Sequence, residues 1–327
     1  MRIGVIGPVG GDELAENIAD ALRRMDHTVT QLGPAHPSHR DRRIHNAATI
    51  ARMALPSLDN RTQRRIAPSA IDAECEVVIN VDAHIMPDVI SQLRRDGAKV
   101  AYWFTDTVSH LARQLMLLAP YDALFFAEPH IVDLVRANLG LLAYHLPEAC
   151  NPRWHRPLVP AGTEPYLIMA GTMYPYRVRI LERLISKGIP IKVYGVGIPR
   201  WIGDTPTRVA YAGKYITREE KARVFRSAAG VLNTRHPAEV SGLNDRLFEA
   251  ASCGAAVLTE FRPTLPEAFA IGDEVLAFHD FDELLDQATR LLNEKGLTAR
   301  LGDAAAHRAH RDHTFDKRLA VILDELS

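Results

Sequence analysis

The sequence predicts an α/β protein of two doubly wound, parallel-sheet halves, and three observations predict it. Short apolar runs alternate with amphipathic helical stretches from Arg2 to Leu146. The densest proline stretch, residues 146 to 165, breaks that alternation, which then restarts at Tyr166 and runs to Phe278. Apolar runs of this kind are strands buried on both faces, as helices packed on both sides of a parallel sheet require. With 327 residues the chain is long for one domain and comfortable for two. The division is read at 155/156, a Pro-rich joint between two Rossmann-like domains that face one another across a cleft.

In the first half Arg2 to Ile6 is a strand and G-P-V-G-G a tight turn. A helix then begins at Asp12, with Leu14, Ile18, Ala21, Leu22 and Met25 on its apolar side. Gly7, Gly10 and Gly11 do not complete G-x-G-x-x-G, so they read as a turn or as room for a ligand close to the backbone. Val29 to Leu32 is a second strand, followed by a long polar connection into a segment near 44 to 53. Strands at 76–81, 99–104, 123–127 and 142–146 alternate with helices at 87–95, 108–118 and 131–138. Asp82, Asp106, Glu128 and Glu148 each stand just past a strand, where functional residues of such sheets sit.

In the second half, apolar segments at 166–170, 191–194 and 209–213 are separated by a helix to Lys187 and followed by one from 217 to 228. Gly230 to Leu232 and Ala255 to Thr259 flank the richest stretch. Val275 to Phe278 is the last strand, and helices over 281–293, 297–311 and 316–326 end the chain.

An apolar fraction of 47% and a charged fraction of 24% are those of a globular protein. No run approaches a membrane span, and M-R-I-G-V-I-G reads as a strand rather than a signal peptide, so a cytoplasmic location is expected. Three scattered cysteines give neither a disulfide framework nor a zinc site. The net charge of -1 conceals a local excess, seven Arg against two Asp over residues 40–65.

Residues 233 to 260 are a loop, a short helix and a strand. Asn244 or Ser241 is placed to cap the helix and Gly254 to close it. Its amino end then offers backbone N–H groups and a positive dipole end beside Arg246, which suits an anion such as a diphosphate. Glu249, one turn on, is an acceptor for the hydroxyls of a ribose or a sugar; an ordinary i,i+3 ion pair on a solvated face is the other reading of Arg246 and Glu249. Gly171, Thr172, Tyr174 and Arg177 form a second cluster, G-T-M-Y-P-Y-R, at a strand end and helix start, with Gly171 allowing close approach and Arg177 a neutralising charge.

Gly242, Asn244, Arg246, Phe248, Glu249 and Gly254 fill a G-x-N-x-R-x-F-E-x-x-x-x-G pattern, and Gly171, Tyr174 and Arg177 a G-x-x-Y-x-x-R pattern. Both resemble group 1 glycosyltransferases of the GT-B fold, in the branch similar to spore maturation protein CgeB. Tyr194-Gly195, Gly213, Leu232-Asn233 and His313-Thr314-Phe315 follow in the same order. The resemblance implies a nucleotide-diphosphate sugar as co-substrate in the second domain, with Tyr194, Lys214, Asn233, His236, Gly242 and Leu243 added to the binding set. It implies an acceptor in the first domain and a last helix that returns to it. It also implies transfer without a bound metal; the chain has no compact D-x-D triplet, and His307, His310 and His313 lack zinc-hydrolase spacing.

The implied reaction moves a sugar to an acceptor hydroxyl, with Asp106 as first choice for the base and Asp82 and His84 second. The Arg-rich stretch then suits an acidic acceptor, with a phospholipid surface, a nucleic acid or a plain solvated helix face also open. One departure stands out. Many retaining members pair two glutamates eight positions apart, and the partner position of Glu249 holds Ser241. Inverting or retaining outcome therefore stays open, as do a sugar-nucleotide epimerase of the same fold and a catalytically silent sugar-nucleotide binder.

Overall fold

Apolar β-branched runs too short for helices pair here into two all-parallel sheets. The structure, a computed structural model, describes residues 1–36, 47–48, 51, 55, 61, 63–106, 115–159 and 162–327. The chain divides into two compact units, Met1–Leu146 with Arg318–Ser327, and Pro147–Lys317. Residues 147 to 155 therefore group with the second unit, whereas the sequence boundary lay at 155/156. The reason is local: Cys150 N–H donates to His313 O at 2.9 Å, and Phe315 N–H donates to Cys150 O at 3.1 Å.

In the first unit β1 (Arg2–Ile6), β2 (Thr28–Gly33), β3 (Val77–Asn80), β4 (Lys99–Phe104), β5 (Ala123–Phe126) and β6 (Ala143–His145) form one sheet in the order β2-β1-β3-β4-β5-β6. Its helices include α1 (Leu14–Arg24), α2 (Ile66–Asp72), α3 (Pro87–Arg95) and α4 (Pro129–Leu139). Alternate residues of β4 and β5 pack on opposite faces. Tyr102, Phe104, Leu124 and Phe126 share one cluster, while Trp103 and Phe125 are fully buried on the other face. Only Leu115–Leu118, a short 3-10 turn, is seen of the helix expected over 108–118, since residues 107–114 lie outside the described ones. Most of the Arg-rich stretch and of the segment near 44 to 53 lies outside them too.

In the second unit β7 (Glu164–Ala170), β8 (Ile191–Tyr194), β9 (Ala228–Asn233), β10 (Val257–Glu260) and β11 (Leu276–Phe278) pair in the order β11-β10-β9-β7-β8. Leu167 and Met169 face one apolar cluster, Ile168 and Ala170 the other. The helices are α5 (Pro175–Ser186), α6 (Pro206–Val209), α7 (Arg218–Ser227), α8 (Asp245–Ser252), α9 (Leu265–Ala268), α10 (Phe281–Asn293), α11 (Leu297–Asp312) and α12 (Phe315–Glu325), whose residues from Arg318 on group with the first unit. The strand expected over 209–213 is instead the single bridge Val193–Tyr211. A helical turn over Pro206–Val209 takes up Val209, and Gly213 adopts a positive φ of 77°, which leaves too few extended residues for a ladder. Among the described residues no helix is long and apolar enough to cross a membrane.

Candidate functional site

Strand order places the site of the second unit. β8 lies on one side of β7 and β9 on the other, so the chain reverses its direction of winding between β7 and β9. Open parallel sheets leave a crevice at the carboxyl ends of the strands at such a point. The two loops that leave β7 and β9 are those the sequence singles out, Gly171 to Tyr174 and Thr234 to Asn244.

Gly171 follows directly from β7. Its N–H donates to Tyr194 O at 2.8 Å, and its φ of 121° is one that residues with a Cβ rarely adopt. A Cβ there would also overlap the Arg246 guanidinium, whose Nη1 donates to Ala170 O. Glycine is therefore favoured by conformation, and an added Cβ would also force the arginine packed against it to shift.

The helix α8 begins where the polar spacing said it would. Asn244 is its N-cap, with Oδ1 accepting from Leu247 N–H at 3.3 Å. Of the two caps left open by the sequence, Ser241 is not used. Asn244 and Asn233 exchange amide hydrogen bonds of 3.0 and 3.1 Å, and Asn233 also reaches Thr259 Oγ1 at 3.1 Å. The end of β9 and the start of α8 are thus fixed to each other and to β10. The N–H groups expected to be open at this helix start are engaged: Asp245 N–H donates to Glu148 Oε2, and Arg246 N–H to Asp245 Oδ1 at 2.7 Å.

Glu249 does not lie on a solvated face. It is 4% exposed, and its Oε1 accepts from Lys221 Nζ at 2.6 Å, with His155 Nε2 at 3.7 Å. Asn151 N–H donates to His155 Nδ1 at 3.2 Å, which leaves the ring proton on the nitrogen turned to Glu249. The other oxygen, Oε2, stands 3.9 Å from Arg246 Nε. Both atoms are buried, and neither has a hydrogen-bond partner among the described residues. Burial opposes the charge on Arg246, and the carboxylates of Asp245, Glu249 and Glu148 outweigh it, so its pKa lies above the ordinary value. A small pocket beside this pair is lined by Ala170, Gly171, Tyr194, Tyr215, Ile216, Lys221 and Arg246.

Arg177 turns inward instead of presenting donors to a ligand. Its Nη1 donates to Thr172 O at 2.6 Å, Nε to Thr234 Oγ1 at 2.9 Å and Nη2 to Thr234 O at 2.8 Å. It ties the two loops of the crevice together and lies over the Tyr174 ring, 4.5 Å from its centroid. Tyr174 in turn meets the His236 ring edge-on at 5.0 Å. Leu243 is buried in the core under α8, next to the buried Gly242. Lys214 is exposed and pairs with Glu220 at 2.5 Å, and its carbonyl accepts from Gly195 N–H at 3.1 Å.

Lys221 and His155 were not singled out in the sequence. Lys221 lies four residues before the fully buried Phe225 on α7, a spacing that turns a lysine inward; that was its one legible signal. His155 sits in the Pro-rich joint, where no periodicity exists to betray it.

In the first unit the winding reverses between β1 and β3, and Asp82 follows β3. Burial would raise its pKa, but hydrogen bonds from the His84 ring and backbone and from Ala35 N–H hold it below its ordinary value of 3.8. Ala35 N–H donates to Oδ2 at 2.8 Å and His84 N–H to Oδ1 at 2.9 Å, so the carboxylate clamps two loops. A depressed carboxyl stabilises the fold above its ordinary pKa and loses that contribution as pH falls through the folded value. Asp82→Asn is therefore expected to lower thermal stability at pH 7 by about 1 to 3 kcal/mol. The gap from the parent protein should close in melts below the ordinary pKa of 3.8; a gap independent of pH would refute the clamp. Asp106 is exposed two residues past β4.

Comparison with known proteins bears on the fold. Residues 177–324, just under half of the chain, match a family model described as Glycosyl transferase-like. No curated protein matches the chain. Among solved structures, sucrose-phosphate synthase from Thermosynechococcus elongatus superposes with a TM-score of 0.70 at 12% identity, over 99% of this chain and 97% of that one. An alpha,alpha-trehalose-phosphate synthase (UDP-forming) from Burkholderia xenovorans gives 0.64 at 15% identity, over 99% of each. A glycosyltransferase from Rickettsia africae ESF-5 gives 0.63 at 11%, over 99% and 97%. The fold is GT-B, and within the second half residues 177–324 are similar to the glycosyl transferase-like family.

Proposed function

We propose that this protein is a glycosyltransferase of the CgeB-like kind that moves a sugar from a nucleotide-diphosphate donor to an acceptor hydroxyl without a bound metal. One observation carries the reading: a buried acceptor, Glu249 Oε2, and a buried donor, Arg246 Nε, 3.9 Å apart and both without a hydrogen-bond partner among the described residues, at the switch point of the second sheet. The gap is too wide for a hydrogen bond between them. A single hydroxyl between the two, accepting from Arg246 and donating to Glu249, satisfies both, and a ribose supplies such hydroxyls.

In the proposed reaction the bond from the anomeric carbon to the donor's terminal phosphate breaks, one to the acceptor oxygen forms, and charge develops on the leaving diphosphate. Arg246 and the amino end of α8 meet that charge, while Arg177 holds the loops that frame it. The acceptor is assigned to the first unit, where Asp106, the exposed carboxylate, takes the acceptor's proton in an inverting course; Asp82, already clamped, is the poorer choice.

Because one solved neighbour is named UDP-forming, UDP is the first probe. Titration calorimetry should show UDP binding to the parent protein and a loss of about 1 to 3 kcal/mol in Glu249→Ala. Equal affinity in a folded Glu249→Ala protein would withdraw the ribose role. Incubation with UDP-, GDP- and TDP-sugars, with and without lysate acceptors, should give sugar transfer. Isomerised donor would replace the reading by an epimerase, and saturable binding without turnover by a silent binder.

A further inference from the structure

Each of the first three N–H groups of α8 meets a side-chain oxygen. Two of those oxygens are local, Asp245 Oδ1 on Arg246 N–H at 2.7 Å and Asn244 Oδ1 on Leu247 N–H at 3.3 Å. The third comes from far off in the sequence: Glu148, 97 positions earlier, accepts from Asp245 N–H. That N–H, at the positive end of an eight-residue helix, is the place where a phosphate oxygen would bind. Arg246 in that turn and Glu249 one turn on carry the two buried atoms without a hydrogen-bond partner among the described residues, Arg246 Nε and Glu249 Oε2, the latter on a side chain 5% exposed.

We infer that Glu148 is a built-in stand-in for the donor's phosphate, a residue that sets nucleotide affinity by holding the anion position of α8 until a diphosphate displaces it. The inference rests on the donor reading given above and deepens it. A carboxylate and a phosphate are both acceptor-only anions, and both fit a helix amino end. They do not share it, because a diphosphate brought to Arg246 beside an ionised Glu148 puts like charges within a few ångströms in a largely buried site. Binding is therefore an exchange of anions, and the free energy of the Glu148 contact is subtracted from that of the phosphate. The same exchange runs backwards after transfer, when Glu148 returns to the N–H and helps the nucleoside diphosphate leave.

A carboxylate serving only as a helix cap would behave in the opposite way, since its loss would loosen α8 and weaken every ligand of the site. Glu148→Gln separates the two, because the amide keeps the shape and an oxygen for Asp245 N–H but drops the charge. Titrations of UDP, GDP and TDP, with uridine as a probe lacking phosphate, are made on the parent protein, Glu148→Gln and Glu148→Ala. The expected result is tighter binding of the preferred diphosphate to both variants, about tenfold or more, corresponding to about 1.4 kcal/mol. Uridine affinity should stay unchanged. If the parent binds a diphosphate and Glu148→Gln binds it no tighter, or if uridine shifts in parallel, the stand-in role falls while the donor reading survives. If no diphosphate binds to any of the three proteins, both fall together.

Discussion

Replacing Lys221 by Met is expected to destabilise the second unit by about 3 to 5 kcal/mol. Lys221 is 5% exposed and places its ammonium 2.6 Å from Glu249 Oε1. Removing one partner of a buried ion pair leaves the other desolvated without compensation, which costs about 3 to 5 kcal/mol. His155 at 3.7 Å and Arg246 at 3.9 Å soften the loss without replacing a direct hydrogen bond. For a unit of this size, thermal unfolding should shift down by roughly 10 °C. The double variant Lys221→Met with Glu249→Leu is the decisive comparison, since an apolar pair of similar volume often restores stability or exceeds the original. Recovery in the double variant would show that the orphaned charge causes the loss. If Lys221→Met melted with the parent protein, the pair would contribute nothing and Glu249 would not depend on it for its position.

This pair also marks the boundary between what the sequence tells and what only the coordinates tell. Most strand and helix positions of the second unit were legible because apolar periodicity and punctuation agree there; the strand expected over 209–213 was the exception. The helix over Phe281–Asn293 was read to the residue, and Asn244 was one of two caps proposed. Asn233, Asn244, Arg246, Glu249 and Gly171 were drawn together by motif spacing, and they meet at one switch point. Spacing could not reveal direction, however. Arg177 has the charge a phosphate needs, yet buried carbonyls at Thr172 and Thr234 claim its donors first. Likewise, the open N–H groups expected at the start of α8 find carboxylate and amide oxygens, because a half-buried helix end leaves no donor idle when an acidic side chain is within reach. Lys221 on α7 and the pair Glu148 and His155 in the Pro-rich joint come from two separate segments, and only folding places them beside α8.

Gly171→Ala is expected to disable nucleotide binding through geometry alone. The residue holds a φ of 121°, for which a single non-glycine outlier costs about 1 to 3 kcal/mol. The added methyl also enters the space of the Arg246 guanidinium, next to the carbonyl of Ala170 that this guanidinium binds. Arg246 must move, and the 3.9 Å gap between its Nε and Glu249 Oε2 loses the width that a hydroxyl needs. Diphosphate affinity should fall about tenfold or more, corresponding to about 1.4 kcal/mol. Strain and collision are separated by a double-mutant cycle with Arg246→Ala. If the collision dominates, Arg246→Ala costs much less in the Gly171→Ala background than in the parent, because the arginine has already been displaced. Additive losses would mean that backbone strain alone is responsible and that Gly171 acts on the Tyr194 side of the loop, through the N–H that donates to Tyr194 O at 2.8 Å.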